Sequence, residues 1–254
     1  MLKHNTVRIA IYLAVLIILA ARWIGGMDVI FLLPVVFLVY LGFISWGAYF
    51  IDSGFFLDAY CKAETKDKII ALTFDDGPVR SVTPEVLDLL KRYQAKATFF
   101  CIGKNLAGNE DIIRRMSDEG HEIGNHSWSH SYFFDFFRDG KVESELIMTN
   151  EALKSITGKD VKYFRPPFGV TNPVIARVVD KLNMPVIGWS IRSMDTTIAN
   201  PDQLYNRVIR KLQPGDIILF HDSLERILPV LEKFLVHAKQ QGFEVVGLDK
   251  LLKQ

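Results

Sequence analysis

Two long apolar runs open the chain. The first extends from Val7 to Ile24, with Arg8 and Arg22 near its ends, and the second from Val29 to Ile51. Each is long enough to cross a bilayer as a helix. Trp23, Tyr40, Trp46 and Tyr49 stand where aromatic interfacial anchors belong. A cleaved signal peptide is the alternative for the first run, given Lys3, Arg8 and the small pair Ala20-Ala21. A buried core helix is the alternative for the second. Only Gly25-Gly26-Met27-Asp28 separates the two runs, and this short connection favours a helical hairpin anchored in a membrane. The pattern divides the chain into an anchor over 1–52, a linker over 53–66 and a second domain over 67–254. Lys3, Arg8 and the amino terminus favour a cytoplasmic start, and two spans would return the second domain to the cytoplasm.

From about Asp67 the pattern alternates between short apolar runs and amphipathic segments. Strands are expected at 68–74, 97–102, 121–124, 161–164, 185–189, 216–220 and 243–246. Helices are expected from Thr83 (as N-cap, with Pro84 at the first helical position), across 109–119 and 140–156, from Pro173, from Pro201, and across 225–240. Strands alternating with helices imply an α/β fold with a mostly parallel sheet. About seven such units in this length suit a barrel better than an open doubly wound sheet. No Gly-x-Gly-x-x-Gly follows a strand, so a dinucleotide-binding fold has no support.

Composition narrows the classes further. A net charge of +1 over 254 residues leaves no basic stripe, so nucleic acid is not an expected partner. Hydrophobic content of 49% is high, and the excess is concentrated in the first 51 residues. The two cysteines, Cys61 and Cys101, do not make a disulfide framework, although a bridge between them is possible outside the cytoplasm.

In parallel α/β folds chemistry collects where strands end and loops begin. Asp75-Asp76-Gly77-Pro78 follows the first strand, His126 and His130 follow the third, and Arg165 follows the fourth. Trp189 and His221 follow later ones, so three of the six histidines fall at one end of the expected sheet. Adjacent acids repel, and a cation or a division of roles between them relieves the repulsion. The four-residue spacing of His126 and His130 puts both imidazoles on one face of a helical turn. With a carboxylate they make a divalent-metal site with open positions, and the second Asp is then free as a base. Taken alone, the rival readings are an Asx-type turn for the acids and surface or capping histidines. Arg165-Pro166-Pro167 is a stiffened loop from which a guanidinium can hold a carboxylate bidentately, or simply a rigid connector. His221 is either a proton donor to a leaving group or a buried histidine bonded to backbone.

Thr73–Gly77, His126–His130, Arg165–Gly169 and Leu219–His221, in this order, resemble the successive motifs of the polysaccharide deacetylases of the NodB-homology type, carbohydrate esterase family 4. The resemblance covers about residues 66–250. It implies a distorted (β/α) barrel and hydrolysis of an N-acetyl group on a hexosamine. It further implies Asp75 as general base, oriented by Arg165, with Asp76, His126 and His130 holding a divalent metal, usually zinc. His221 would be the general acid, and the Phe168 backbone N–H would face the oxyanion. An ionised Asp75 beside a protonated His221 gives a bell-shaped pH profile, and a flat one from pH 5 to 9 would count against these roles.

The fourth motif departs from the family. In Trp189–Thr196, Asp195 is retained, Arg192 stands where an Asp is common, and Thr196 replaces an aromatic. Trp189, Arg192, Asp195 and Phe168 remain the expected substrate-binding residues, with Arg192 a partner for an anionic or lipid-linked substrate. Tyr132–Phe137 is expected to pack against the barrel, with sugar-stacking or membrane-facing aromatics as the alternatives, and His121, Glu122 and Asn125 are expected to shape the metal loop. The resulting expectation is a membrane-anchored, metal-dependent deacetylase of an N-acetylated glycan, with its catalytic domain outside the cytoplasm because the family works on surface glycans. The alternatives are a deacylase of a lipid-linked sugar or O-acetyl ester, and a non-catalytic glycan-binding protein.

Overall fold

The structure, a computed structural model, describes residues 2–253. The apolar runs form helices α1 (His4–Gly25) and α2 (Leu32–Tyr49). Both are long and apolar enough to cross a membrane, and few of their side chains are buried. Gly26, at φ 63°, supplies the left-handed turn that ends α1.

The start of α1 and the end of α2 meet the rest of the chain directly. His4 N–H donates to the Phe55 carbonyl at 2.9 Å, and Lys3 pairs with Asp58. Phe55 is buried against Gly47, where any Cβ would lie 2.1 Å from its ring. Strand β1 (Ala59–Tyr60) follows at once. The stretch 53–66 is therefore packed rather than free.

The sheet is built from β2 (Ile69–Asp75), β3 (Ala97–Cys101), β4 (Glu122–Asn125), β6 (Ile191–Arg192), β7 (Ile217–His221) and β8 (Glu244–Val246). Its order is β4-β3-β2-β7-β6, with β8 on the first residues of β2, and every pairing is parallel. Strand β5 (Val186–Ile187) pairs with β1. Single bridges at Phe164 link β4 to β5. The expected strand 161–164 is reduced to that one bridge, and the expected strand 185–189 divides into β5 and, beyond Trp189, β6. Helices α3 (Thr83–Arg92), α4 (Glu110–Asp118), α5 (Asp139–Thr157), α6 (Pro173–Lys181), α7 (Pro201–Ile209) and α8 (Ile227–Gln240) lie between strands, and α9 (Leu248–Leu251) ends the series. Thr83 does not cap α3 with its side chain. Its hydroxyl accepts from Val79 N–H and donates to Asp222.

Strand period places the site. In β2, Ile70, Leu72 and Phe74 point to a core made with α3, α4 and α8, while Ala71, Thr73 and Asp75 point to the opposite face. Phe74 is stacked between Phe99 (5.1 Å) and Phe220 (6.1 Å), which pins the strand. That register leaves Asp75 as the last strand residue on the inner face. Parallel pairing sets it level with Phe100 and His221.

Candidate functional site

The carboxyl ends of β2, β4 and β7 surround a cavity of about 570 Å³, lined by Asp75, Asp76, His126, His130, Phe168, Trp189, Arg192 and His221 among others. Arg165 and Asp195 are fully buried behind it. All ten residues singled out from the sequence are thus at one place.

Arg165 Nη1 donates to Asp75 Oδ1 (2.7 Å) and to Thr73 Oγ1 (2.8 Å), both on the inner face of β2. Its Nε and Nη2 donate to the Ile187 and Gly188 carbonyls, and its guanidinium carbon lies 4.2 Å from the Phe100 ring centre. The expected bidentate grip is not formed, because the remaining donors are taken by backbone at the end of β5. Asp75 Oδ2 stays free on the cavity side, 3.8 Å from His126 Nε2. Burial alone would raise the Asp75 pKa. The positive Arg165, with His126 and His221, overrides burial and holds it below the ordinary 3.8.

Asp76 Oδ1 lies 3.6 Å from His126 Nε2 and 3.4 Å from His130 Nε2, and all three donor atoms lie within 4.8 Å of one another. Three ligands each about 2.1 Å from a tetrahedral ion sit about 3.4 Å apart, so the set fits a divalent cation. Asp76 Oδ1 is buried without a hydrogen-bond partner among the described residues, a state that a cation would relieve. His126 Nδ1 is 2.8 Å from the Arg165 carbonyl, which fixes the proton there and leaves Nε2 as an acceptor. His130 is pushed down to about 4 by burial and by neighbouring His126, so it is neutral near pH 7.

The two histidines do not share a helical turn. They lie in a loop in which Ser127 (φ 63°) and His130 (φ 47°) are left-handed, as is Asp76 (φ 75°). Such conformations cost of order 1–3 kcal/mol each and persist where surroundings impose them. Asn125 Oδ1 accepts from Ser127 N–H, and Ser127 Oγ from His130 N–H. Glu145 Oε2, buried on α5, accepts from the N–H groups of Trp128 and Ser129 and from the Ser129 hydroxyl. Asn105 Nδ2 holds the Asp76 carbonyl. Asn125 shapes the metal loop as expected, but Glu145 and Asn105 carry no sequence signal. His121 and Glu122 do not belong here: they stand at the start of β4 and line a second cavity of about 300 Å³.

His221 Nδ1 meets Asp195 Oδ1 at 2.7 Å, and its backbone N–H donates to Asp195 Oδ2, also at 2.7 Å. Burial would lower its pKa, but the Asp195 hydrogen bond and charge, with Asp75 and Asp76, raise it to about 9. In the roles the resemblance implies, Asp75 and His221 would set pH limbs below 3.8 and near 9. The expected bell would then carry a broad plateau between these limbs, and flatness from pH 5 to 8 would be compatible with these roles. The departures in the fourth motif do not disturb this pair. Arg192 lies 5.4 Å from the Trp189 ring, and its guanidinium makes no hydrogen bond or ion pair among the described residues. Gly169 (φ 73°) is required beneath Trp189, since a Cβ there would lie 2.2 Å from the indole.

Gly77 is equally constrained, for a Cβ would fall 2.3 Å from the buried Asp222 carboxylate. Gly77→Ala is expected to lose about 1–3 kcal/mol by overpacking, seen as a lower denaturation midpoint. Cys61 and Cys101 are both free. Of the aromatic run, Phe134 is buried, but Tyr132, Phe133 and Phe136 are exposed rather than packed.

The α/β sheet thus presents an Asp-His-His set beside an arginine-held carboxylate and a carboxylate-held histidine. The polysaccharide deacetylase family model matches residues 62–187. A peptidoglycan-N-acetylglucosamine deacetylase of Listeria monocytogenes is 37% identical over 190 residues, 75% of this chain and 40% of that one. The chain therefore aligns with well under half the length of that relative. One of the same name from Bacillus cereus is 35% identical over 192 residues, 74% of this chain and 89% of that one. A solved CE4-family pseudoenzyme from Bacillus anthracis superposes with a TM-score of 0.70 at 28% identity, covering 75% of this chain and 67% of that one. The chain belongs to the polysaccharide deacetylase family.

Proposed function

We propose that the protein removes N-acetyl groups from a hexosamine-containing glycan, peptidoglycan being the polymer named for its relatives. The observation that carries the reading is the joint placement of Arg165–Asp75, the Asp76-His126-His130 set and Asp195–His221 around one cavity. A divalent metal, zinc by the one-carboxylate, two-imidazole donor set, would supply Lewis acidity at the acyl oxygen. Asp75, held ionised, takes the proton of the attacking water at Oδ2, the oxygen Arg165 leaves free. The Phe168 N–H is assigned to the oxyanion. His221, held protonated by Asp195, gives its Nε2 proton to the departing amine, and acetate and a free amine result. Trp189, with Phe168, walls the sugar groove, and Arg192 is assigned to an anionic group on the substrate.

Residues 67–254 form the catalytic domain in this reading, a distorted barrel supported by the Phe164 bridges and by the return of β6 to β7. Residues 1–52 form a membrane hairpin, supported by the length, apolarity and exposure of α1 and α2. Lys3 and Arg8 lie at the domain's end of the hairpin, so charge bias favours the cytoplasm. The polymer named for the relatives supports an extracytoplasmic domain, and the reading adopts that side. The test is metal removal: chelation of the full chain should abolish turnover, and zinc should restore it with one ion bound per chain. Turnover unchanged after complete removal of metal would overturn the reading.

A further inference from the structure

We propose that Tyr132, Phe133 and Phe136 form an aromatic lip seated in the headgroup zone of the bilayer that α1 and α2 cross, so that the catalytic cavity opens onto glycan carried at the membrane surface. The inference rests on the reading of those helices as membrane-spanning.

Tyr132, Phe133 and Phe136 are 84%, 70% and 82% exposed, an apolar patch on one tight turn. Water is a poor neighbour for three large rings in five residues, and contiguous exposed patches of this kind mark contact surfaces. The glycan accounts for only part of the patch. Tyr132 stacks on Phe168 at 5.6 Å and lines the cavity, but Phe133 and Phe136 do not.

The height of the lip is set by α2. Thr171 N–H and Oγ1 donate to the carbonyls of Ala48 and Gly47 in its last turn, at 3.1 and 3.0 Å. The next residue, Asn172, donates from Nδ2 to the Asp135 carbonyl, in the middle of the lip, at 2.8 Å. Helix α2 has 18 residues, about 27 Å at 1.5 Å per residue, close to the ~30 Å hydrocarbon thickness. Its last turn therefore sits at the membrane boundary. One residue step of about 3.8 Å and two hydrogen bonds separate that turn from the lip. Trp46, Tyr49 and Phe50 are exposed at the same end of α2, and the lip continues their belt. Arg138, exposed two residues beyond Phe136 and without an ion pair among the described residues, suits lipid phosphate.

The test uses the full chain in lipid nanodiscs, with nitroxide labels at Phe133→Cys and Phe136→Cys in a Cys61→Ser background. Labels at Leu13→Cys in α1 and Lys91→Cys on α3 serve as references. Labels on the lip should collide with oxygen more than with a water-soluble nickel chelate, toward the Leu13→Cys reference. Nickel accessibility equal to that at Lys91→Cys overturns the proposal. The double variant Phe133→Ser/Phe136→Ser should lose about tenfold or more in turnover of a bilayer-anchored glycan, with turnover of a soluble oligomer unchanged. An equal fall on both substrates also overturns it. Absence of turnover on either substrate by the parent chain refutes the proposed reaction, and the label depths then judge the lip alone.

Discussion

Asp75→Asn is expected to lower deacetylation by roughly 10²- to 10⁴-fold, the usual contribution of a general base, while divalent-metal binding survives. The amide oxygen can keep the Oδ1 position facing Arg165, so the geometry is retained, but the amide cannot take a proton from water. Asp75 is not among the three clustered donors, so metal content should stay near that of the parent. The variant should also be less stable, because Arg165 is fully buried and loses its only buried counter-charge among the described residues. Removing one partner of a buried pair costs about 3–5 kcal/mol, moderated here by the bonds Arg165 keeps to Thr73, Ile187 and Gly188. The relevant measurements are kcat, bound metal and the denaturation midpoint on one preparation. A kcat within tenfold of the parent would remove Asp75 from the base role.

Asp195→Asn should act through pH. The folded pKa of His221 is raised to about 9 from 6.5, so the protonated acid persists well above neutrality and is lost as pH rises through 9. Without the Asp195 charge, burial is less opposed and the pKa falls toward or below 6.5. At pH 8.5 the protonated fraction then drops from about three-quarters to about one-hundredth, a loss of roughly 50- to 100-fold at that pH, by titration about an ordinary histidine pKa. At pH 6 the loss should be small. The same linkage makes the His221 contribution to stability complete below pH 6.5 and lost as pH rises through 9. Profiles of kcat/KM from pH 5 to 10 decide the matter, and a parallel fall at every pH would assign Asp195 a purely structural role.

The parts of the site legible in the sequence are those where one strand delivers one group. Asp75, Arg165 and His221 each end or follow an apolar run, and His126 follows the short strand expected at 121–124. Within 68–74 the run looked uniformly buried, however. The division between Phe74, facing helices, and Thr73 and Asp75, facing Arg165, depends on what covers each face. The His126–His130 spacing suggested a helical turn, but Asn125 and Glu145 impose left-handed residues there instead. Glu145 acts from α5, 16 residues after Ser129, and nothing in its neighbourhood marks it. Residues 53–66 read as a linker because they fall between the second apolar run and the first expected strand. Phe55 nonetheless fills the space that Gly47 leaves open, a pairing visible only in three dimensions. Strands β1 and β6, two residues each, are too short for any period to register.

The central claim is tested most directly by acetate release. The full chain, reconstituted in lipid and loaded with zinc, would be incubated with peptidoglycan and with N-acetylglucosamine oligomers. Acetate and free hexosamine amine would then be quantified beside the Asp75→Asn variant. Equimolar acetate and amine, formed by the parent and nearly absent with the variant, is the expected result. No acetate from either substrate by metal-loaded parent, or equal release by parent and variant, would contradict the account.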